Sequence, residues 1–307
     1  MPGKLFTSLL CPSMKVTEDQ LESDLHIMAM EKQINALNRR RFLGGLAAAG
    51  ATAATIGSFG FATSAHAQAA PSIVDVLNFA LNLEYLEANL YIAVSGQAGL
   101  STADTGGGPA PLNTPAKLTL DTQTQLTAVG LAMDELHHIE LLRGAITEMG
   151  GTPIEQPQID YSAGGTMSIT TQAQFLAVAR QFTAVGNSAY AGAAQFLVSS
   201  VSTLTTAAQI LGAEAQHLGA VGYLCALQGV MSPTIDTLDY PPTGPSDIFT
   251  ITPTTDTTSP AVGPLRTTAQ VLGIVYGVTK ASTTTPAAGV TKGGFFPNGV
   301  NGSITST

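Results

Sequence analysis

Two stretches of this sequence place a carboxylate and an imidazole in the middle of an otherwise apolar helical stripe. In one, Leu131, Glu135, His138 and Leu142 are spaced by four, three and four; in the other, Ile210, Glu214, His217 and Val221 repeat that spacing. Residues so spaced share one face of an α-helix. A carboxylate buried without a partner is penalised heavily or driven to the neutral acid. Two such stripes facing each other bring two carboxylates and two imidazoles together, and a divalent metal is the natural compensation. The chain is thereby constrained to pack helices face to face around a polar centre.

A third stripe, Leu77, Leu81, Glu84, Ala88 and Tyr91, has the same character. Glu84 interrupts its apolar face, and Tyr91, two turns on, can hydrogen-bond within the core. Glu87 lies one turn from Glu84 but about 60° off the stripe, which ranks it second as a ligand.

These stripes sit on predictable elements. Ser72 after Pro71, with Asp75 three residues later, reads as a helix N-cap. The helix it opens runs to about Val94 and is stopped by Gly96 and the loop Thr105–Pro115. Periodicity predicts further helices over 118–149, 171–198 and 203–228, the second ending at Gly150-Gly151-Thr152-Pro153. Segments of about 20–30 residues give helices roughly 30–45 Å long, and their connections suit a bundle. From Met231 to Pro264 the sequence turns to Pro, Thr, Ser and Asp without periodicity and reads as a long loop. A short fifth helix is expected over 267–276, then a turn-rich end whose Phe295 and Phe296 dock on the body. No repeat of solenoid length is present.

Composition agrees with an all-α fold. Aromatics are 6%, Trp is absent, and the core must be built mainly from Ala, Leu and Val, which suits packed helices better than a β-sandwich. The net charge of −9 is unevenly spread. Residues 1–67 hold six Lys/Arg and five acids, whereas residues 68–307 hold 6 basic and 16 acidic residues. Such a surface repels phosphates and anionic lipid, and no basic patch reverses it, so nucleic-acid binding is excluded.

The basic cluster belongs to a leader. Asn38-Arg39-Arg40-Arg41-Phe42-Leu43 precedes an uncharged Gly/Ala-rich run, and Ala65-His66-Ala67 follows before Gln68. This is the charged, apolar, small-x-small layout of a signal peptide, and its Arg-Arg-x-Phe-Leu core resembles the bacterial twin-arginine export signal. That resemblance implies the twin-arginine machinery as partner, cleavage near Ala67, and a periplasmic or otherwise exported product with no stable membrane anchor. Residues 1–37 read as an extension without a fold, or as sequence upstream of the true start, with Met14, Met28 and Met30 as alternative starts. Cys11 and Cys225 fall on opposite sides of the cleavage point, so the mature chain keeps one thiol and no internal disulfide. Cys225 reads as a buried small hydrophobe.

Glu on the first helix and Glu-x-x-His on the second and fourth resemble the ligand pattern of ferritin-like di-iron carboxylate bundles. The phrases Leu83-Glu84-Tyr85-Leu86-Glu87-Ala88 and Ala189-Tyr190-Ala191-Gly192-Ala193-Ala194 look like those of exported ferritin-like and desiccation-related proteins. The resemblance covers about 72–229. It divides the chain into 1–37, a signal peptide over 38–67, a four-helix bundle over 68–230 and an irregular extension over 231–307. It implies metal ligands Glu84, Glu135, His138, Glu214 and His217, with iron or manganese, as one ion, two or none. The pattern departs on the third helix. Thr183 stands where the resemblance calls for a fourth carboxylate, and Asn187 is the nearby polar substitute. His137, Glu140 and Asp134 are expected at the surface.

Three functions follow as expectations. The first is a metal-dependent oxidase or oxidant scavenger. The second is a non-catalytic stress- or desiccation-related envelope protein with a degenerate site. The third and weakest is iron storage in a shell. Whether the chain is an enzyme, and whether it oligomerises, stays open in its residues.

Overall fold

The structure is a computed structural model that describes residues 70–242, 244 and 262–307. The expected leader and the middle of the 231–264 loop lie outside the described residues. Four long helices form the body: α1 (Ile73–Ser95), α2 (Thr122–Glu148), α3 (Gln172–Ala193) and α4 (Val201–Gln228), with the short α5 (Thr268–Val275) in the C-terminal extension. The fold is all-α, a four-helix bundle carrying an irregular extension with a fifth helix. No helix among the described residues is long and apolar enough to cross a membrane.

Local chemistry sets the ends. The Ser72 hydroxyl accepts from the Asp75 amide, and the Asp75 carboxylate accepts from the Ser72 amide, closing a capping box. Gly96, in the left-handed region at φ 74°, ends α1. α2 starts at Thr122 rather than 118 because Asp121 caps it, accepting from the Thr124 amide. Leu118 instead docks by donating its amide to the Val94 carbonyl. α3 ends earlier than its periodicity predicts, tightening into a 3-10 turn at Ala194–Phe196.

Hydrogen bonds between helix ends reveal the topology. Gln125, at the start of α2, donates to the Ser95 carbonyl at the end of α1, so these helices run antiparallel. Gln172, at the start of α3, donates to Gln228 at the end of α4, and Gln228 donates to Asp121. The starts of α2 and α3 therefore share one end of the bundle, and the 149–171 connection must run the bundle's length. That single long crossover matches ferritin-like topology. It lies along α1: Asn78 exchanges hydrogen bonds with Thr152 and Ile154, Asn89 donates to Gln156, and Tyr161 donates to the Leu86 carbonyl.

The extension covers more of α1 and α3. Asn82 and Asn301 exchange hydrogen bonds, and Phe295 meets Phe182 edge-on at 5.1 Å. Phe295 and Phe296 are both buried, as expected. Two buried arginines clamp the extension to α3. Arg180 pairs with Asp239, and Arg266 pairs with Asp236 at 2.6 Å while donating to Ser188. Buried guanidinium forks with three partners each are well placed for this role.

Candidate metal centre

The three stripes meet in the bundle core. Glu84, Glu135, His138 and Glu214 are buried, and one ligand atom from each lies within 4.8 Å of all the others. His217 lies against the same cluster, its ring centroid 6.0 Å from that of His138. All five residues expected as ligands are thus brought together.

The carboxylates of Glu135 and Glu214 stand between the two histidines. Glu135 turns Oε2 to His138 Nδ1 at 3.0 Å and Oε1 to His217 Nδ1 at 3.2 Å. Glu214 Oε1 is 3.6 Å from His138 Nδ1 and 3.7 Å from His217 Nδ1. Glu84 Oε2 completes the His138 side at 3.2 Å, and its Oε1 accepts from the Tyr190 hydroxyl.

Glu87, ranked second to Glu84 as a ligand, stands outside the group of four but beside it. It is buried, and its Oε1 closes on the space beside Gly186, where a Cβ would stand 2.9 Å from it and 2.6 Å from Glu214 Oε2. Its Oε2 accepts from Tyr91 at 2.8 Å. The stripe argument assumes one buried face, but 17 of the 23 residues of α1 are buried, so a 60° rotation still points inward. Glu87 therefore brings a carboxylate to the side facing α3. Thr183 supplies nothing there, because its hydroxyl donates back to the Ala179 and Arg180 carbonyls. Asn187 brings its side-chain oxygen close to Gly263.

Asp134 adds a contact from outside the cluster. It is exposed, as expected, yet its Oδ2 lies 3.0 Å from His217 Nε2. That contact favours a proton on Nε2 and turns Nδ1 toward the carboxylates, an arrangement common behind metal-ligating histidines. Position next to Glu135 was the available signal. His137 and Glu140 are exposed.

The electrostatics follow from this crowding. Burial, then the charge of Glu84, pushes Glu135 up to about 7. Burial and Glu135 push Glu214 up to about 8. Glu87 is raised well above the ordinary range by burial and by Glu214 and Glu84. Burial would raise Glu84 as well, but the His138 charge and hydrogen bonds from His138 and Tyr190 outweigh it and hold it low. Burial works against charge on both histidines, yet the surrounding carboxylates outweigh it and raise them. In the metal-free protein the carboxylates and imidazoles share too few protons for too much charge.

A metal fits this donor set. Glu135 Oε1, Glu214 Oε2 and His217 Nδ1 are buried and make no hydrogen bond. Glu135 Oε1 and His217 Nδ1 are close, but not in hydrogen-bonding geometry. Buried polar atoms without a partner call for explanation, and a cation held by these side chains would satisfy them.

No curated protein is similar enough to this chain to count as a match. A family model, described as a ferritin-like domain, matches residues 72–226. That span holds α1 to α4 up to the final residues, every side chain of the buried cluster, and the long crossover; the chain belongs to the ferritin-like domain family.

Proposed function

We propose that the bundle core holds iron or manganese as a pair of cations and that the protein consumes a small oxidant such as oxygen or peroxide. Oxygen-rich ligation with two imidazoles suits these metals. The observation that carries the reading is the trio of buried, unsatisfied donor atoms on Glu135, Glu214 and His217. Glu84 and His138 would hold one cation, Glu87 and His217 the other, with Glu135 and Glu214 shared between them.

The bound metal would supply Lewis acidity and redox capacity. The chain's own residues do the rest. Tyr190 and Tyr91 steady Glu84 and Glu87 by donating to them. Both phenols are raised well above the ordinary value, first by burial and then by the charge of the glutamate each one faces, so they remain protonated donors. Asp134 orients His217, and the protons held by Glu135, Glu214 and the histidines leave as metal enters.

The test is metal content in wild type and in a Glu135→Ala/Glu214→Ala variant. Wild type should hold about two ions per chain and the variant none; unchanged stoichiometry rejects the proposal. Glu87→Gln should lower the content toward one ion. The alternative reading, a non-catalytic stress- or desiccation-related envelope protein, rests on the Thr/Pro-rich C-terminal segment and on Thr183. The second of these supports weakens because Glu87 offers a fourth carboxylate.

We also propose export through the twin-arginine machinery with cleavage after Ala67. The capping box at Ser72 lies just past that point, so trimming leaves the first bundle helix with its own N-cap. Mass spectrometry of the periplasmic protein should find Gln68 at its N-terminus; an intact leader on the exported protein contradicts this.

A further inference from the structure

α4 leaves most of its length open to solvent and carries no charge there. It buries only 10 of its 28 residues, and Glu214 and His217 are among them. Its sequence contains no other acid or histidine and no Lys or Arg. A helix that faces water ordinarily carries charged and polar side chains on that side, as α2 does with the exposed Asp134, His137 and Glu140. α4 instead presents Val201, 75% exposed, with Tyr223 and Leu227, and the adjacent α2 carries Leu126, 65% exposed, and Met133. Exposed apolar surface of this kind marks an interaction site.

Charge and shape both point to a second copy of this chain as the occupant. Residues 68–307 hold 6 basic and 16 acidic residues, so two copies repel over most of their surface, and a helix face without acids is where they can meet. The outward line of α4 runs through Val201, Thr205, Ala208, Gly212, Gly219 and Tyr223, all exposed, and Thr205 turns its hydroxyl back to the Val201 carbonyl. Laid antiparallel on itself about a two-fold axis between Ala215 and Gln216, this line is self-complementary: Gly219 meets Gly212, and Tyr223, the bulkiest side chain, meets Ala208. A Cβ at either glycine would meet no described atom within 4 Å, so the two backbones can approach closely. The face is about 40 Å long and, with the α2 residues beside it, about 15 Å wide, giving roughly 1,200 Å² for a pair, the lower end of specific interfaces.

We propose that the outer face of α4 is a self-association surface, on which a second copy of this chain docks antiparallel as a two-fold, reversible dimer centred between Ala215 and Gln216. The dimer stands independently of the metal centre.

Sedimentation velocity of the full chain over about 1–100 μM should show a concentration-dependent monomer–dimer equilibrium. Gly219→Glu has room on its own helix and a better helix former than glycine, so it should fold, yet it sets a carboxylate in the interface and should weaken dimerisation about tenfold or more. Ala288→Glu, exposed in the C-terminal extension, adds the same charge and should leave the equilibrium within about twofold. Disulfide trapping tests the register in a Cys11→Ser background, where the buried Cys225 is the remaining native thiol. Gln216→Cys stands beside the two-fold axis and should link two chains on mild oxidation. Val201→Cys lies on the same line but roughly 40 Å from its counterpart, and should not. A monomer at every concentration, equal weakening by the two glutamates, or linkage through Val201→Cys but not Gln216→Cys overturns the dimer. So does a monomer that sediments with phosphatidylcholine vesicles and loses that binding in Gly219→Glu, which assigns the face to lipid.

Discussion

α1 and α4 both send glutamates into the core, but they are enclosed differently. α4 buries 10 of its 28 residues, a single face that carries Glu214 and His217. α1 buries 17 of 23, because the crossover and the extension cover what would be its outer side. A helix with one buried face can offer ligands only along one stripe. A helix enclosed on all sides can offer them at angles the stripe excludes, and Glu87 is the result. The extension thereby changes the chemistry available to the bundle without contributing any of the clustered glutamates or histidines.

If enclosure of α1 is what matters, loosening the clamp should have the largest effect. Asp236→Ala leaves Arg266 buried without its counter-ion, a change of about 3–5 kcal/mol. The melting temperature should fall by roughly 6–20 °C; a thermal scan showing no change would break the contrast. Truncation compares the two helices directly. Leu90→Ala, at a fully buried α1 position, should cost about 2–5 kcal/mol, whereas Leu227→Ala, on the exposed side of α4, should stay within about 0.5 kcal/mol.

The pH dependence sharpens the account. Glu135, Glu214 and Glu87 are raised above their unfolded values, so the folded metal-free protein binds more protons than the unfolded chain above pH 4.5. The stability tied to them is fully present below 4.5 and is lost as pH rises through about 7 and 8. The raised histidines act in the same direction above 6.5. Glu84, held low, favours folding above its unfolded value, and this contribution is already in place by pH 5.5. Metal-free protein should therefore melt lower at pH 8.5 than at 5.5, by a few kcal/mol or roughly 5–10 °C. Metal loading should remove or reverse that slope. Gly186→Ala should act most locally, pushing a methyl against Glu214 Oε2 and Glu87 Oε1. Metal affinity on the His217 side should fall about tenfold or more, with metal-free stability changed by under about 1 kcal/mol.

Much of this was legible in the sequence. The two Glu-x-x-His stripes, the Glu84 stripe, the capping box at Ser72 and the short helix near 268 each follow from spacing or local chemistry, and the structure assembles them as expected. The full burial of Glu87 and the reach of Asp134 were less legible for the same reason: each depends on a partner distant in sequence. Glu87 faces inward only because residues 149–171 and the extension cover α1. Asp134 is a surface residue by pattern and matters only because His217, far along the chain, reaches it. The Arg180–Asp239 pair and the Arg266–Ser188 contact join a helix to an aperiodic segment, where no spacing rule applies.

The most direct test is diffraction from crystals soaked in manganese, with an anomalous-difference map. The account predicts peaks on both sides of the Glu135 carboxylate, one beside His138 and the other beside His217, with the second lost in Glu87→Gln. A map with no peak inside the four helices, or with manganese bound only at exposed acids, would contradict it.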